Sequence, residues 1–462
     1  MTSEDCRALL ARRFFGRKVI LAMGMVAGSG RTLDMLAALG ARRPLMLAEG
    51  IGTGELPVAD ALQWKVVGVF GAPTMMDGIR AYEAALANPS AEVVDLVERY
   101  DPDRSALVIG ALFSENTALC GRPYYGARQP AWCALEDKVV IDALWDELGV
   151  ARAPVEIAAA DAASLRAAAR RLDRGDGTVW AGDASGGWHG GSELTRWACD
   201  DDTAAALVPV FSERCERVRV MPFLEGIPCS IHGIVFPDYV VALRPVESLT
   251  LRQPALGKFR YCGCASFWDP PAADREAMRA MVKHVGAGLR DRVGFRGTFT
   301  IDGVLTADGF LPTELNPRFG AGINTLSKSL PELPLYVLHL AVCAGEDWEF
   351  RPRQLEQLIL DGADRVRAGG GHSLSAGERD GTDNYNLAEV GGRYQIVADD
   401  AEAHATLTIG PSPLGTMVRL GLAPEHTPVG PSVAPRFAMA LELADRELGT
   451  QFGPSELATA VR

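Results

Sequence analysis

Three oxygen-bearing side chains in the second half of the chain could hold a divalent cation. Asp302, Glu314 and Asn316 lie within residues 297–324, which have the pattern of two strands joined by a turn. Because side chains alternate along a strand, Glu314 and Asn316 share one face, and the partner strand can bring Asp302 beside them. Mg²⁺ favours few carboxylates together with substrate phosphates, and Arg318 adds a guanidinium for the same phosphates. The pattern therefore outlines a site for Mg²⁺ and a nucleotide.

The same segment also has a purely structural interpretation. Residues 306–309, TADG, fit an Asx turn, and Asn316-Pro317 fits a second turn. A solvated hairpin would use the same residue types. Spacing alone does not decide between the solvated hairpin and the metal site. The surrounding elements and further motifs are needed to choose between them.

The elements around this segment form three successive groups. Residues 18–40 have the pattern strand, glycine turn, helix, and residues 105–114 give a second apolar strand, which predicts a Rossmann-like start. Short β-branched runs between residues 217 and 305 predict the catalytic sheets. After residue 340, a helix-like run, a Gly-rich stretch and alternating runs predict a mixed region. The predicted domains are residues 1–130, 131–340 and 341–462.

The run D-x11-E-L-N-P-R-F-G, from Asp302 to Gly320, resembles the metal-binding signature of ATP-grasp enzymes. In that family an Asp, a Glu and an Asn hold two magnesium ions, and a nearby Arg steadies the transferred phosphoryl group. The resemblance implies that Asp302, Glu314 and Asn316 bind Mg²⁺ and that Arg318 is catalytic. It also implies the α/β (α+β) ATP-grasp fold, preceded by the Rossmann-like domain and followed by the mixed domain.

Further motifs follow in the family's order over residues 135–325. Lys138, in a Glu-Asp-Lys run predicted to open a helix, resembles the first phosphate-binding lysine. Residues 184–191, ASGGWHGG, resemble the glycine-rich lid over the phosphates, and residues 217–226 resemble the hinge that holds adenine. Each motif has a structural alternative: a solvated helix lysine, a hairpin turn and a buried strand. The ATP-binding residues that the resemblance implies are Lys138, Ser185, Gly186, Gly187, Met221, Phe223, Leu224 and Glu225.

Lys258 and Arg260 lie where the family has a basic loop near the substrate or the γ-phosphate, so the resemblance implies catalytic roles for both. Two positions depart from the family pattern. Ala181 stands where a second phosphate-binding lysine is usual, and Pro228 stands where a ribose-binding Glu is expected, with Glu225 as its candidate substitute. ATP binding is therefore expected to depend more heavily on the remaining cations.

The implied activity is the ATP-dependent joining of a carboxylic acid to an amine through an acyl phosphate, with ATP and Mg²⁺ as cofactors. The whole chain looks most similar to pheganomycin-type peptide ligases of natural-product biosynthesis, so small-molecule acids and amino acid or peptide amines are the expected substrates. A divergent ATP-binding regulatory protein is an alternative that Ala181 and Pro228 favour. A Rossmann-type oxidoreductase is a second alternative, although Gly24, Gly28 and Gly30 lack the G-x-G-x-x-G spacing of dinucleotide-binding loops.

Composition restricts the partners and the compartment. The formal net charge of −13 disfavours binding to nucleic acid, which depends on clustered Lys and Arg. The apolar stretch Val19–Ala27 is short and interrupted by Gly24, so no membrane partner is expected. Nine cysteines without a CxxC pair fit a reducing cytoplasm. A homodimer is an arrangement that the sequence leaves open.

Overall fold

The amino-terminal part of the chain is built on a parallel sheet. The computed structural model describes residues 1–68, 71–112, 114–346, 348–399 and 402–461. The elements here are α1 (Ser3–Phe14), β1 (Val19–Ala22), α2 (Gly30–Ala38), β2 (Leu45–Ala48), β3 (Gln63–Val66), α3 (Met75–Ala87), α4 (Ala91–Tyr100) and β4 (Leu107–Gly110). The strands are parallel in the order β3-β2-β1-β4. The predicted Rossmann-like start is therefore confirmed.

Burial explains the sequences of these strands. Strands β1, β2 and β4 are buried along their whole length. Side chains of α1 and α2 cover one face of the sheet, and side chains of α3 and α4 cover the other. Because both faces are covered, the strands are continuously apolar and do not alternate.

The next part of the chain contains short connecting elements and a small antiparallel sheet. Its elements are β5 (Ala118–Leu119), β6 (Arg122–Pro123), α5 (Pro130–Cys133), α6 (Ile141–Glu147), β7 (Glu156–Ala159), α7 (Ala162–Leu172), β8 (Thr178–Gly182), β9 (Thr195–Ala198), α8 (Asp201–Ser212) and β10 (Arg217–Pro222). The sheet order is β7-β10-β8-β9. Helices α7 and α8 pack on one face, around Trp180 and Phe211. Ala181 of β8 and Arg219 of β10 alternate with core-facing residues along their strands. Their side chains therefore face away from this core.

A larger antiparallel sheet carries the hairpin singled out in the sequence. Its elements are β11 (Ile227–Val235), β12 (Val240–Ala242), β13 (Val246–Gln253), β14 (Lys258–Ala265), α9 (Ala272–Val293), β15 (Gly297–Thr306), β16 (Gly309–Asn316), α10 (Ala321–Ser327) and α11 (Leu335–Cys343). The strand order is β16-β15-β11-β13-β14. Helix α9 packs against β11 and β12 through Val282 and Val285, which share their core with Phe299 of β15.

The carboxy-terminal part extends the same sheet. Its elements are α12 (Pro352–Arg365), β17 (Gly369–Ser375), β18 (Asp383–Val390), β19 (Arg393–Val397), β20 (Ala405–Ser412), β21 (Gly415–Leu422) and α13 (Ala434–Glu447). Strand β17 pairs with β14, so the order continues as β14-β17-β21-β20-β18-β19. The predicted mixed α/β character of this region is confirmed. The domain boundaries at residues 130 and 340 stay predictions, and α11 runs across the second of them.

The structure corrects the local setting of Lys138. The sequence predicted that this residue opens a helix, but α6 begins only at Ile141, and Lys138 lies in the turn before it. The Asp137 carboxylate accepts a hydrogen bond from Val139 N–H at 3.1 Å. An Asp that bonds nearby backbone N–H groups in this way competes with helix formation, which explains the later start.

None of the helices in the described ranges is both long and apolar enough to cross a membrane.

Candidate active site

The β15–β16 hairpin brings the three predicted metal ligands together. Asp302 is paired with Glu314 across the two strands, and a bulge follows between Asp302 and Gly303. Asn316 Nδ2 donates to Asp302 Oδ2 at 2.7 Å. The bulge needs a glycine, because a Cβ on Gly303 would lie 2.3 Å from Leu311 O. The hairpin therefore sets a pair of carboxylates and an amide side by side, as the sequence predicted.

Two cations and a hydroxyl border this cluster. Lys138 Nζ lies 2.9 Å from Glu314 Oε1. Arg318 Nη2 donates to Asn316 Oδ1 at 2.7 Å. Ser230 Oγ, on the neighbouring strand β11, donates to Asp302 Oδ1. Although Lys138 and Glu314 are far apart in the sequence, the fold places the lysine in direct contact with the hairpin.

The two carboxylates of the cluster have opposite pKa shifts. Burial raises the pKa of Asp302 above its usual value, and repulsion by Glu314 adds to the rise. Burial alone would raise the pKa of Glu314 as well, but the charges of Lys138 and Arg318 lower it below its usual value. A cation between the two carboxylates would offset their repulsion, which is the ordinary reason why such pairs bind metals.

The oxygen atoms of this cluster fit a metal ion that takes only some of its coordinating atoms from the protein. Among the described residues there is no group of three or more His, Cys, Asp or Glu side chains arranged for a metal ion. The cluster offers two carboxylates and one amide oxygen. Mg²⁺ commonly keeps few protein ligands and completes its octahedron with waters and substrate phosphates, whereas a structural zinc site needs four protein ligands.

The glycine-rich segment closes over one side of the cluster through Trp188. This segment, residues 183–194 between β8 and β9, is called the lid here. Trp188 Nε1 donates to Glu136 Oε2 at 2.6 Å, and Arg318 Nε donates to the same oxygen at 3.2 Å. The guanidinium of Arg318 also lies over the Trp188 ring, 5.6 Å from its centroid. Glu136 therefore connects the lid to the predicted catalytic arginine.

The amino-terminal α/β unit holds the far side of the lid. Arg80 Nη1, on α3, donates to Trp188 O at 2.7 Å. Thr74 Oγ1 donates to Glu193 Oε1 at 3.1 Å, and Arg214 pairs with the same carboxylate at 2.6 Å. Sequence reasoning assigned no role to Trp188, Glu136 or Arg80. The available signals were an aromatic residue within a glycine-rich loop and an acidic residue beside Lys138.

The predicted lid residues Ser185, Gly186 and Gly187 lie at the β8 end of the lid. Ser185 Oγ donates to Asp183 Oδ1 at 2.6 Å, and Gly187 adopts a φ of +101° that favours glycine. The described residues show no contact between these three and the carboxylate cluster. Their role toward phosphates stays a prediction.

The predicted adenine-binding residues Phe223 and Leu224 lie in the hinge between β10 and β11, and Met221 lies near the end of β10. Phe223 N–H donates to Gly177 O at 3.0 Å, whereas Leu224 N–H has no partner among the described residues. The Phe223 ring stacks on Trp197 at 4.3 Å. A backbone donor beside an aromatic surface suits the edge and face of a base.

Glu225 is more occupied than the sequence indicated. Its Oε2 accepts from Arg252 Nη1 at 2.9 Å, and its Oε1 accepts from Arg252 Nη2 at 2.6 Å. Thr459 N–H, from the carboxy-terminal segment, also donates to Oε1 at 3.0 Å. The ribose-binding role of Glu225 stays a prediction, and a ribose hydroxyl would have to share a carboxylate that is already paired.

The structure corrects the setting of Lys258 and Arg260, which lie on strand β14 and not in a loop. Their run KFRYCGCA pairs in antiparallel register with β13, and this pairing keeps the chain extended. Arg260 donates to Ser373 Oγ at 3.1 Å and to Phe452 O at 3.0 Å. Lys258 is exposed, opposite Arg196. Neither contacts the carboxylate cluster among the described residues, and their catalytic roles stay predictions.

A cation lies directly across the ladder from Ala181. Arg219 on β10 is the register partner of Ala181, and it is almost fully buried. Its guanidinium makes a two-point contact with Asp142 on α6, at 2.6 Å and 2.8 Å. This pair was not predicted from the sequence, because the two residues are 77 positions apart. The face that lacks the second lysine therefore still carries a positive side chain, neutralised in part by Asp142.

Comparison with solved structures defines the class of fold. The ADP complex of purK, N5-carboxyaminoimidazole ribonucleotide synthetase, is similar over 94% of this chain and 98% of its own, with 12% identity and a TM-score of 0.52. The biotin carboxylase domain of Hydrogenobacter thermophilus 2-oxoglutarate carboxylase, solved with MgADP, ADP and bicarbonate, is similar over 89% and 87%, with 11% identity and a TM-score of 0.55. The chain therefore has the ATP-grasp fold.

A third structure adds an ATP complex to this set. Carboxyaminoimidazole ribonucleotide synthase from Aspergillus clavatus, complexed with ATP, is similar over 93% of this chain and 99% of its own, with 11% identity and a TM-score of 0.50. No protein-family model and no curated protein sequence matches the chain. At these identities the likeness shows the fold.

Proposed function

We propose that this protein is an ATP- and Mg²⁺-dependent ligase that joins a carboxylic acid to an amine through an acyl phosphate. The observation that carries the proposal is the cluster of Asp302, Glu314 and Asn316 with Arg318 at its edge, closed on one side by Trp188 of the lid. The similar solved structures contain ADP, MgADP or ATP, which supports a nucleotide as the second component.

In this proposal ATP lies between the hinge and the hairpin. Leu224 N–H and the backbone around Met221 bind the adenine edge, and Lys138 contacts the phosphates. When bound by Asp302, Glu314 and Asn316, Mg²⁺ supplies positive charge that offsets the β- and γ-phosphate oxygens. Lys138 and Arg318 flank the same position from two sides, so the phosphates meet cations and not only carboxylates.

The chemistry needs no protein nucleophile. An oxygen of the donor carboxylate attacks the γ-phosphorus, the bond to the ADP oxygen breaks, and an acyl phosphate forms. Arg318 stabilises the charge that spreads over the transferring phosphoryl group. The amine nitrogen then attacks the acyl carbon, the bond to the phosphate oxygen breaks, and the nitrogen loses a proton as the amide forms. The lid, held by Glu136 and Arg80, keeps water from the acyl phosphate.

The proposal also specifies the kind of amine that the enzyme joins to the acid. The resemblance of the ELNPRFG segment and the Ala181 position to pheganomycin-type enzymes supports an amino acid or peptide as the amine, in natural-product biosynthesis. A cytoplasmic location and a homodimer belong to this proposal too. A protein that binds ATP but does not turn it over would instead fit the regulatory alternative.

The first expected result concerns the products of ATP. Incubated with Mg²⁺, ATP and mixed pools of carboxylic acids and amines, the protein should form ADP and phosphate in equal amounts, because the acid attacks the γ-phosphorus. Phosphorus NMR distinguishes these products from AMP and pyrophosphate. With an ¹⁸O-labelled acid, one labelled oxygen should appear in the released phosphate.

Two outcomes would contradict this expectation. Release of AMP and pyrophosphate would indicate adenylation of the acid and would remove the acyl phosphate. Binding of ATP without acid-dependent turnover of any pool would favour the regulatory alternative. Omitting the acid pool is the control, since ADP formation without it would be simple hydrolysis.

A second expected result concerns the lid. Trp188→Phe keeps a ring over Arg318 but removes the hydrogen bond to Glu136, and a bond to a charged acceptor contributes about 1.5 to 3 kcal/mol. We expect the KM for ATP to rise about tenfold and amine-independent ATP hydrolysis to increase. Trp64→Phe, at a half-exposed tryptophan on β3, is the matched control. Unchanged KM and unchanged hydrolysis in Trp188→Phe would show that this contact does not close the site.

A further inference from the structure

Four basic side chains converge at a place that none of the assigned motifs includes. They come from three separate regions: α2 in the amino-terminal unit, the end of α10, and the paired strands β17 and β21. All four are exposed to solvent. This set, called the basic cleft here, consists of Arg31, Lys328, His372 and Arg419.

Contacts and register bring the four residues to one place. Arg31 Nη2 donates to Ser327 O at 2.5 Å, which sets the Arg31 side chain beside Lys328. A Cβ on Gly370 would lie 3.8 Å from Lys328 Nζ, so the ammonium stands over β17 at a position without a side chain. His372 is two residues further along β17, on the same face, and pairs across the ladder with Arg419.

The charge of the basic cleft is not compensated by the protein. None of the four residues forms an ion pair with Asp or Glu in the described part of the chain, whereas interior arginines such as Arg122 and Arg219 are paired with Asp101 and Asp142. This is unusual for a chain with 59 acidic and 46 basic residues. Arg31, Lys328 and Arg419 carry like charges, and such a cluster is unfavourable unless a ligand of opposite charge binds there.

Partial burial and neighbouring charges act on two of these side chains. Burial lowers the pKa of Lys328, and the charges of Arg419 and Arg31 lower it further. Burial also lowers the pKa of His372, with Arg419 adding to the effect. Solvent reaches these side chains, yet enough protein surrounds them to weaken their hydration. Weaker hydration strengthens the attraction of these side chains for an anion.

The position of Arg31 at the start of a helix also favours an anionic ligand. It lies in the first turn of α2, which has no acidic residue and no side-chain cap. A positive charge is disfavoured there, because the amino terminus of a helix already carries partial positive charge. The same combination of helix terminus and guanidinium is favourable toward an oxyanion. The placement of Arg31 is thus costly for the free protein and useful for an anionic ligand.

The basic cleft and the carboxylate cluster lie on one continuous sheet. Cys264 on β14 is the register partner of Gly370 on β17. The strand order β15-β11-β13-β14-β17 separates the hairpin from β17 by three strands, so a ligand that joins the two sites must extend along this sheet.

We propose that the basic cleft binds an oxyanion of the amine substrate, its carboxylate or a phosphate, and so selects amines such as amino acids or peptides with a free carboxyl end. The proposal rests on the ligase function proposed above, which requires an amine directed at the acyl phosphate. The donor's own carboxylate is consumed at the γ-phosphorus. An anion that persists through the reaction therefore belongs to the other substrate, held with its amino group toward the hairpin.

Binding can be tested without turnover. The full-length protein, without nucleotide, is incubated with three tripeptide pools of the same composition, and retained peptides are quantified by mass spectrometry. The first pool has free carboxyl ends, the second is amidated, and the third is amidated and ends in phosphoserine. We expect at least fivefold greater retention of the first pool than of the second. Lys328→Met and Arg419→Met should abolish this preference, whereas Arg393→Met, at an exposed arginine of β19, should keep it.

The other outcomes of this experiment distinguish a carboxylate from a phosphate as the bound anion. They also distinguish failure of the cleft proposal from failure of the ligase proposal. Retention of the phosphoserine pool but not of the free acids would support the cleft and assign it to a phosphate. Equal retention of all pools, or a preference that persists in Lys328→Met and Arg419→Met, would overturn the proposal. Acid-dependent ADP formation is measured in parallel. A wild-type protein that prefers free acids but forms no ADP would keep the cleft and lose the ligase function.

Discussion

Glu314→Gln is expected to lower kcat about 10²- to 10³-fold while the protein remains folded, because removing one preorganised charge at a phosphoryl-transfer site has an effect of that order. Gln has the shape of Glu but lacks the charge that pairs with Lys138 and that would bind a cation. The variant also loses the repulsion between Glu314 and Asp302, so a large fall in stability is not expected. Turnover across a Mg²⁺ titration and circular dichroism measure the two effects.

Glu332→Gln is the matched control for this experiment. Glu332 is an exposed residue in the segment between α10 and α11, and we expect wild-type kcat when it is replaced. If Glu314→Gln kept wild-type kcat at saturating Mg²⁺, the assignment of the hairpin to metal binding would be wrong. A variant that recovered only at high Mg²⁺ would instead indicate weakened metal affinity with the chemistry intact.

Lys138→Ala is expected to weaken ATP binding about tenfold or more, since a charge-assisted phosphate contact contributes roughly 1.5 to 3 kcal/mol. The chain lacks a lysine at position 181, so fewer cations share the phosphates than in enzymes with both lysines. The structure adds a second reason. Lys138 offsets the charge of Glu314, and without it the two carboxylates of the hairpin would repel the phosphates more strongly.

Calorimetric ATP titrations of the wild type, Lys138→Ala and Ala181→Lys test this expectation. Lys65→Ala is the control, because Lys65 pairs with Glu92 on the amino-terminal unit, away from the hairpin. An unchanged affinity in Lys138→Ala, with no gain in Ala181→Lys, would show that another group compensates. Arg219 would then be the first candidate, since it faces position 181 across the ladder.

The hairpin was predictable because its geometry is local. Asp302, Glu314 and Asn316 lie on adjacent antiparallel strands, and the two-residue period of a strand determines which side chains meet. The buried parallel strands of the amino-terminal unit were predictable for a similar reason, since continuous apolar runs beside a glycine turn have few alternatives. Both features depend on neighbours in sequence.

The parts that sequence reasoning missed depend on contacts between distant segments. Trp188 meets Glu136 across 52 positions, and Arg219 meets Asp142 across 77. Nothing in a local pattern encodes such partners. Arg260 is a residue for which the motif implied a catalytic role that the structure does not show. Its side chain instead donates a hydrogen bond to Phe452 O, 192 residues later. Side-chain direction in a strand is determined by pairing, which a single sequence does not reveal.

The pairing of β14 with β17 has a consequence for how this protein can be produced. Because the hairpin sheet continues into the carboxy-terminal strands, a fragment that ended near residue 340 would leave the N–H and C=O groups of Gly263 to Ala265 without their partners. Exposed strand edges recruit other chains and promote aggregation. Soluble expression therefore requires the carboxy-terminal region, and minimal catalytic fragments should be designed by trimming loops rather than by removing that end.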